Sequence, residues 1–144
     1  MNRILLTILA CFSILSLYSQ WTWQNPYPQS NHLYGLSFTD TLNGWACGHY
    51  GSLNHTINGG IDWQVVNSGT TSRILSIYFI DEMKGWAGAL NDEILSTSDG
   101  GKTWSIMHVG IQNRYRDIFF SDSLNGWTLG RFGYILNYSR KVEI

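Results

Sequence analysis

Apolar and polar positions alternate along this chain in short runs, without the sustained 3.6-residue beat of an amphipathic helix. Midway, Ile74-Leu75-Ser76-Ile77-Tyr78-Phe79 is β-branched and aromatic and gives way to the turn material Asp81-Glu82-Met83-Lys84-Gly85. Trp86-Ala87-Gly88-Ala89, Ile94-Leu95-Ser96-Thr97 and Trp104-Ser105-Ile106-Met107 follow, parted by Leu90-Asn91-Asp92 and then by a glycine-rich turn. This pattern predicts four antiparallel strands in succession and no helix.

The pattern repeats. Phe-x-Asp-x-x-x-Gly-Trp ends at Trp45, at Trp86 and at Trp127, always 41 residues apart. A second landmark keeps the same register, since Thr97-Ser98-Asp99-Gly100-Gly101-Lys102-Thr103-Trp104 answers to Thr56-Ile57-Asn58-Gly59-Gly60-Ile61-Asp62-Trp63. A period of this size means one supersecondary unit stacked several times, each copy burying its apolar faces on its neighbours. Four antiparallel strands in 41 residues make one blade of a β-propeller, so the fold class is all-β with propeller-type blades at about 33–67, 74–108 and 115–138. Trp21-Thr22-Trp23-Gln24 matches the fourth-strand material Trp63-Gln64 and is expected as a stray outer strand. No third glycine turn appears between Tyr138 and Ile144, so the last blade has three strands. That makes three blade equivalents, whereas closed propellers have at least about four. The chain is then either a piece of a longer reading frame, which the divergence of Arg140 to Ile144 favours, or a short propeller whose open edges associate with other copies. An open arc of blades exposes apolar faces and unpaired strands, so self-association is expected in either case.

Residues 1–19 stand apart from this repeat. Asn2 and Arg3 precede a run from Ile4 to Leu17 that is almost wholly apolar, and Ser19 supplies a small residue before Gln20. About 14 apolar residues fall short of the roughly 20 needed to span a bilayer, so the segment reads as a signal peptide and leaves no membrane span in 20–144. The expected destination is the periplasm or the exterior. Loss of Arg3 moves the formal charge from −1 to −2, and no basic balance points to nucleic acid. Aromatic residues make up 15% and charged ones 13%, a composition for a dense core. With Cys11 in the leader, Cys47 is left as a single thiol that cannot form an internal disulfide. It aligns with Gly88 and Leu129, and so reads as a small buried residue.

The glycine turn has a physical logic. A carboxylate at Asp99, or a carboxamide at Asn58, can accept the N–H groups of a tight turn, while Gly59, Gly60, Gly100 and Gly101 take conformations closed to other residues. Trp63 and Trp104 then cover the turn, burying on the order of 200 Å² each. Ser98, Asp99, Gly101, Thr103 and Trp104 together resemble the Asp-box of sialidase-type propellers. Paired with Phe-x-Asp-x-x-x-Gly-Trp, with Trp23-Gln24-Asn25-Pro26 and with Asn67-Ser68-Gly69-Thr70, the pattern resembles the photosystem II assembly and stability factors over residues 21 to 138. Asn58 and Asp62 depart from the family pattern, as does the missing third box. The resemblance implies a structural Asp-box (BNR) repeat, no catalysis, no cofactor, and a positively charged surface that receives a chain terminus of a partner protein. In a photosynthetic host it implies the thylakoid lumen.

Few residues offer chemistry beside that resemblance. Asp92, Glu93 and Asp117 are the acids that a carbohydrate-active propeller could use, whether glycosidase or lectin-like, and a glycosidase needs two carboxyls about 5–9.5 Å apart across a cleft. Asp92 and Glu93 read better as turn acids, and no sialidase signature accompanies Arg73, Arg114, Arg116 or Arg131. His32, His49, His55 and His108 lack metal-ligand spacing. A cationic rim remains. His32, Arg73 and Arg114 share one register just before the first strands, and His49, Leu90 and Arg131 share another in the turns after the second strands. Both registers lie at one end of the blades, opposite the Asp-boxes. His32, His49, Arg73, Arg114 and Arg131 are therefore the expected binding residues for an acidic or C-terminal peptide.

Overall fold

The computed structural model describes residues 20–24, 30–111 and 113–139. The expected signal peptide lies outside these described residues. Three antiparallel sheets follow one another along the chain. The first runs in order β1 (Leu33–Phe38), β2 (Gly44–Gly48), β3 (Leu53–Thr56) and β4 (Gln64–Val65). The second repeats it as β5 (Ile74–Phe79), β6 (Gly85–Ala89), β7 (Glu93–Thr97) and β8 (Ser105–His108). The third has β9 (Asp117–Phe120), β10 (Asn125–Leu129) and β11 (Ile135–Ser139). Each is an up-and-down blade, and the three form an incomplete propeller.

The repeated motif is explained by how each blade starts. Asp40 Oδ1 accepts the N–H groups of Leu42 and Asn43 at 2.6 and 2.8 Å, and Asp81 and Asp122 do the same for Met83 and Lys84 and for Leu124 and Asn125. The motif's acid thus closes the turn between strands one and two. Its glycine is needed because the phenylalanine ring lies flat against it. A Cβ at Gly44, Gly85 or Gly126 would come within 2.4–2.6 Å of Phe38, Phe79 or Phe120. Its tryptophan reaches out to the next blade.

The core lies at the seams between blades. Trp45 of β2 stacks on Phe79 of β5 at 5.1 Å, and Trp104 meets both rings edge-on at 6.0 and 5.9 Å. Leu53, Ile74, Ile77, Ala87, Ala89 and Leu95 complete this buried cluster. Cys47 joins it fully buried, as expected, and burial pushes its thiol up to about 12, so it is no nucleophile at neutral pH. β2 and β6 are buried along their whole length and β5 nearly so, while β1 and β10 are exposed on the sides that face no neighbour.

Residues 21–24, expected as an outer strand, carry no strand pairing in the single chain. Gln24 instead lies by the first Asp-box, with its Nε2 donating to Gly59 O at 3.4 Å.

Candidate functional site

The two ends of the blades differ in kind. At one end, each Asp-box packs onto the turn between strands one and two of its own blade. The N–H of Gly59 donates to Leu42 O and that of Gly100 to Met83 O, both at 2.9 Å. Within the second box, Asp99 Oδ1 accepts from Thr97 Oγ1 at 2.8 Å and from the Thr103 N–H at 3.0 Å, while its Oδ2 takes the Thr103 hydroxyl at 2.5 Å. The Thr103 hydrogen bonds first, and then that of Thr97, hold the Asp99 carboxyl down at about 2. The indole N–H of Trp104 donates to Gly101 O at 3.2 Å, and that of Trp63 to Gly60 O at 3.1 Å. Asp99, Thr103 and the indole N–H of Trp104 all direct their polar atoms at the turn itself.

The first box reaches the same shape with the polarity reversed. Asn58 Oδ1 accepts from Thr56 Oγ1 at 3.0 Å and from the Asp62 N–H at 2.9 Å, and Asn58 Nδ2 donates to Asp62 Oδ2 at 3.0 Å. The acid has moved from the first position to the fifth, and the donor has moved the other way.

At the opposite end three arginines gather around a hollow. Tyr34, Arg73, Leu75, Leu90, Arg114 and Arg116 line a hollow of about 310 Å³ with no carboxylate in its wall. Arg73 is half-buried. One of its amino groups lies 2.7 Å from His49 Nε2, its guanidinium lies 5.5 Å from the centre of the Tyr34 ring, and its Nε is buried with no hydrogen-bond partner. Arginine has no acceptor, so His49 must present a lone pair. Desolvation, then the charges of Arg73 and His32, lower its pKa and favour that neutral ring.

This geometry sorts the residues expected from sequence. Arg73 and Arg114 come together, and His49 supports Arg73. His32 stands behind them, its ring 6.3 Å from that of His49. Arg131 does not line the hollow; its guanidinium rests 5.3 Å over the Phe132 ring. Arg116 and Tyr34 were missed. They occupy one register with Leu75, so the period gives no common chemistry to notice. The signal available was local, since Arg116 lies two residues beyond Arg114 in extended chain and so faces the same side.

The acids weighed for carbohydrate chemistry are used in folding. Asp92 is buried and accepts from Tyr115 Oη at 2.6 Å and from the N–H groups of Gly110 and Ile111. Burial alone would raise its pKa, but these hydrogen bonds together lower it, while burial and the Asp92 charge raise that of Tyr115. Glu93 accepts from Thr70 and Ser72 at 2.6 and 2.9 Å. Asp117 is exposed, with its Oδ1 taking the N–H of Ile118 at 3.0 Å.

The family is decided by sequence. The profile of the Photosynthesis system II assembly factor YCF48 family matches residues 61–139, more than half of the chain. The chain belongs to this family. Solved structures of YCF48 agree in fold. One, described as YCF48 bound to D1 peptide, superposes with a TM-score of 0.72 at 23% identity, over 84% of this chain and 42% of that one. Another, YCF48 from Cyanidioschyzon merolae, gives 0.67 at 24% identity, over 77% and 38%. This chain thus spans about two-fifths of the length of those YCF48 chains. No curated protein matches it significantly in sequence.

Proposed function

We propose that this YCF48-family chain is an exported, non-enzymatic propeller module that binds an acidic or C-terminal segment of a partner protein in the hollow formed by Arg73, Arg114 and Arg116. The observation that carries this reading is the hollow itself, with three guanidiniums and no carboxylate in its wall. A desolvated Arg73 Nε without an acceptor costs free energy that an incoming carboxylate would recover. Tyr34 offers a ring face beside it for the peptide's last side chain. The peptide-bound state of a YCF48 relative supports the same class of ligand. Export rests on the leader-like residues 1–19, and places the module in the periplasm, outside the cell or, in a photosynthetic host, in the thylakoid lumen. Among the described residues no helix is long and apolar enough to cross a membrane.

The test is fluorescence anisotropy with an acidic peptide ending in a free carboxylate and with its amidated twin. Replacing Arg73, Arg114 and Arg116 with Ala together should weaken binding at least about tenfold and flatten its salt dependence, since exposed charges are screened over about 8–10 Å. Arg131→Ala should change little. So should replacing Lys84 and Lys102, which lie at the other end of the blades. A triple variant that binds as the parent does would refute the hollow as the site.

A further inference from the structure

The seam between the second and third blades is open where the first seam is closed. Phe38, Phe79 and Phe120 occupy one register. Phe38 has Trp63 edge-on at 6.2 Å and Phe79 has Trp104 edge-on at 5.9 Å, both tryptophans standing just before the fourth strand of their blade. Phe120, stacked on Trp86, has no tryptophan edge-on among the described residues and only the tilted ring of Tyr138 beside it, at 5.7 Å. A largely apolar cleft of about 510 Å³ opens there, walled by Trp86, Ile106, Met107, Phe120, Trp127 and Tyr138. Its floor is the outer edge of β11, which pairs only with β10 among the described residues.

The chain carries a strand of the missing kind. Thr22-Trp23-Gln24 repeats Thr103-Trp104-Ser105 and Asp62-Trp63-Gln64, yet Trp23 is 92% exposed whereas Trp63 and Trp104 are half-buried. It lies beside the first blade, at the other end of the arc from β11, so a chain's own strand does not reach its own cleft. We propose that the cleft receives residues 21–24 of a second copy of this chain as the fourth strand of the third blade, with Trp23 taking the edge-on place over Phe120. In the two complete blades Gln64 pairs with His55 and Ser105 with Ser96, which by the period sets the second copy's Gln24 opposite Asn137.

The rest of the arc fits the same junction. Trp45 stacks on Phe79 and Trp86 on Phe120, so Trp127 is next in line for a phenylalanine of a following blade, and the second copy's Phe38 is the residue in register. Trp127 and Phe38 are both about two-fifths exposed in the single chain. Trp45 also fills the space over Gly101. The corresponding space over Gly60 holds only the flexible carboxamide of Gln24, which moves away when the strand is donated. Such a contact is head to tail, and strand addition supplies its main-chain hydrogen bonds.

The test uses full chains carrying Cys11→Ser, in which the buried Cys47 thiol is inert. Chains with Gln24→Cys mixed with chains with Asn137→Cys should give a covalent heterodimer under mild oxidation, well above that from Gln24→Cys mixed with Ser98→Cys, which does not line the cleft. Adding Trp23→Ala to the donor should cut the yield at least about tenfold and shift sedimentation towards monomer, as for an anchoring indole. Its melting should lose the concentration dependence of the parent and settle at the value of the dissociated chain, because Trp23 is exposed in the single chain and acts only in the assembly. No heterodimer above the control, or cross-linking only within one chain when both cysteines are present, would overturn the proposal.

Discussion

The two seams use the same residues at the same register and end up in different states. In the first, Trp45 and Phe79 are almost wholly buried and Trp104 covers them both. In the second, Trp86 and Phe120 stack closer, at 3.7 Å, yet the covering indole is missing and a cleft stands open beside them. The difference teaches that the Gly-Trp motif makes the stack and buries its rings, whereas the fourth-strand indole closes the space beside it. Stacking needs one residue from each of two neighbouring blades. Closing that space takes a third residue from the fourth strand, and no fourth strand pairs with β11 among the described residues.

The largest expected effect bears on this contrast directly. Phe79→Ala should cost about 3–5 kcal/mol, the range for removing a buried aromatic from a seam that cannot collapse. Phe120→Ala should cost clearly less, because Phe120, though itself only 3% exposed, lines the cleft, so the space its ring leaves opens onto that cleft instead of forming a closed void. Urea unfolding of the two variants decides the matter, and equal losses would mean that the covering indole contributes nothing.

A smaller effect is expected at the second glycine of the Asp-box. Gly60 and Gly101 have φ of 88° and 75°, so Ala at either costs about 1–2 kcal/mol from the left-handed conformation alone. At Gly101 the new methyl also meets the Trp45 ring at 2.2 Å, while at Gly60 it meets the movable Gln24 carboxamide. Gly101→Ala should therefore lower the melting temperature more than Gly60→Ala. A reversed order would show that the tryptophan yields more easily than the amide.

The smallest effect is a matter of pH. Asp99 has its pKa held at about 2, below the ordinary 3.8, whereas the corresponding Asn58 does not titrate. A carboxyl depressed in the folded state contributes stability that is present above 3.8 and is lost as pH falls through about 2. Melting curves between pH 5 and pH 2 should thus be flatter for Asp99→Asn than for the parent. Asn58→Ala should leave the slope unchanged.

Much of this architecture could be read in advance. The expected first strand of the middle blade, Ile74 to Phe79, is the strand observed, because β-branched and aromatic runs bounded by turn residues have few other solutions. The fourth strands were harder to place. They begin at Gln64 and Ser105, one residue past the tryptophans, because each indole is tied back to the turn it covers. The rim was half legible. Arg73 and Arg114 followed from the period, but a period reports what blades share, and a binding site on a repeat protein depends on where they differ. Arg116 stands where the other blades carry Tyr34 and Leu75, and Arg131 keeps register yet rests over the Phe132 ring, outside the hollow.

The reversed polarity of the first Asp-box also limits how this gene can change. Asn58 and Asp62 form one exchangeable unit: the amide at 58 donates to the acid at 62, as the hydroxyl of Thr103 donates to Asp99. Restoring the repeat's usual acid by Asn58→Asp alone would face two carboxylates across about 3 Å, where like charges repel. Changing Asp62→Thr alone would leave the turn with no acid at all. Each single step towards the family pattern passes through a worse turn, so the two positions are epistatic. Stabilising this propeller by consensus, one residue at a time, should fail at the site where the consensus looks most obvious.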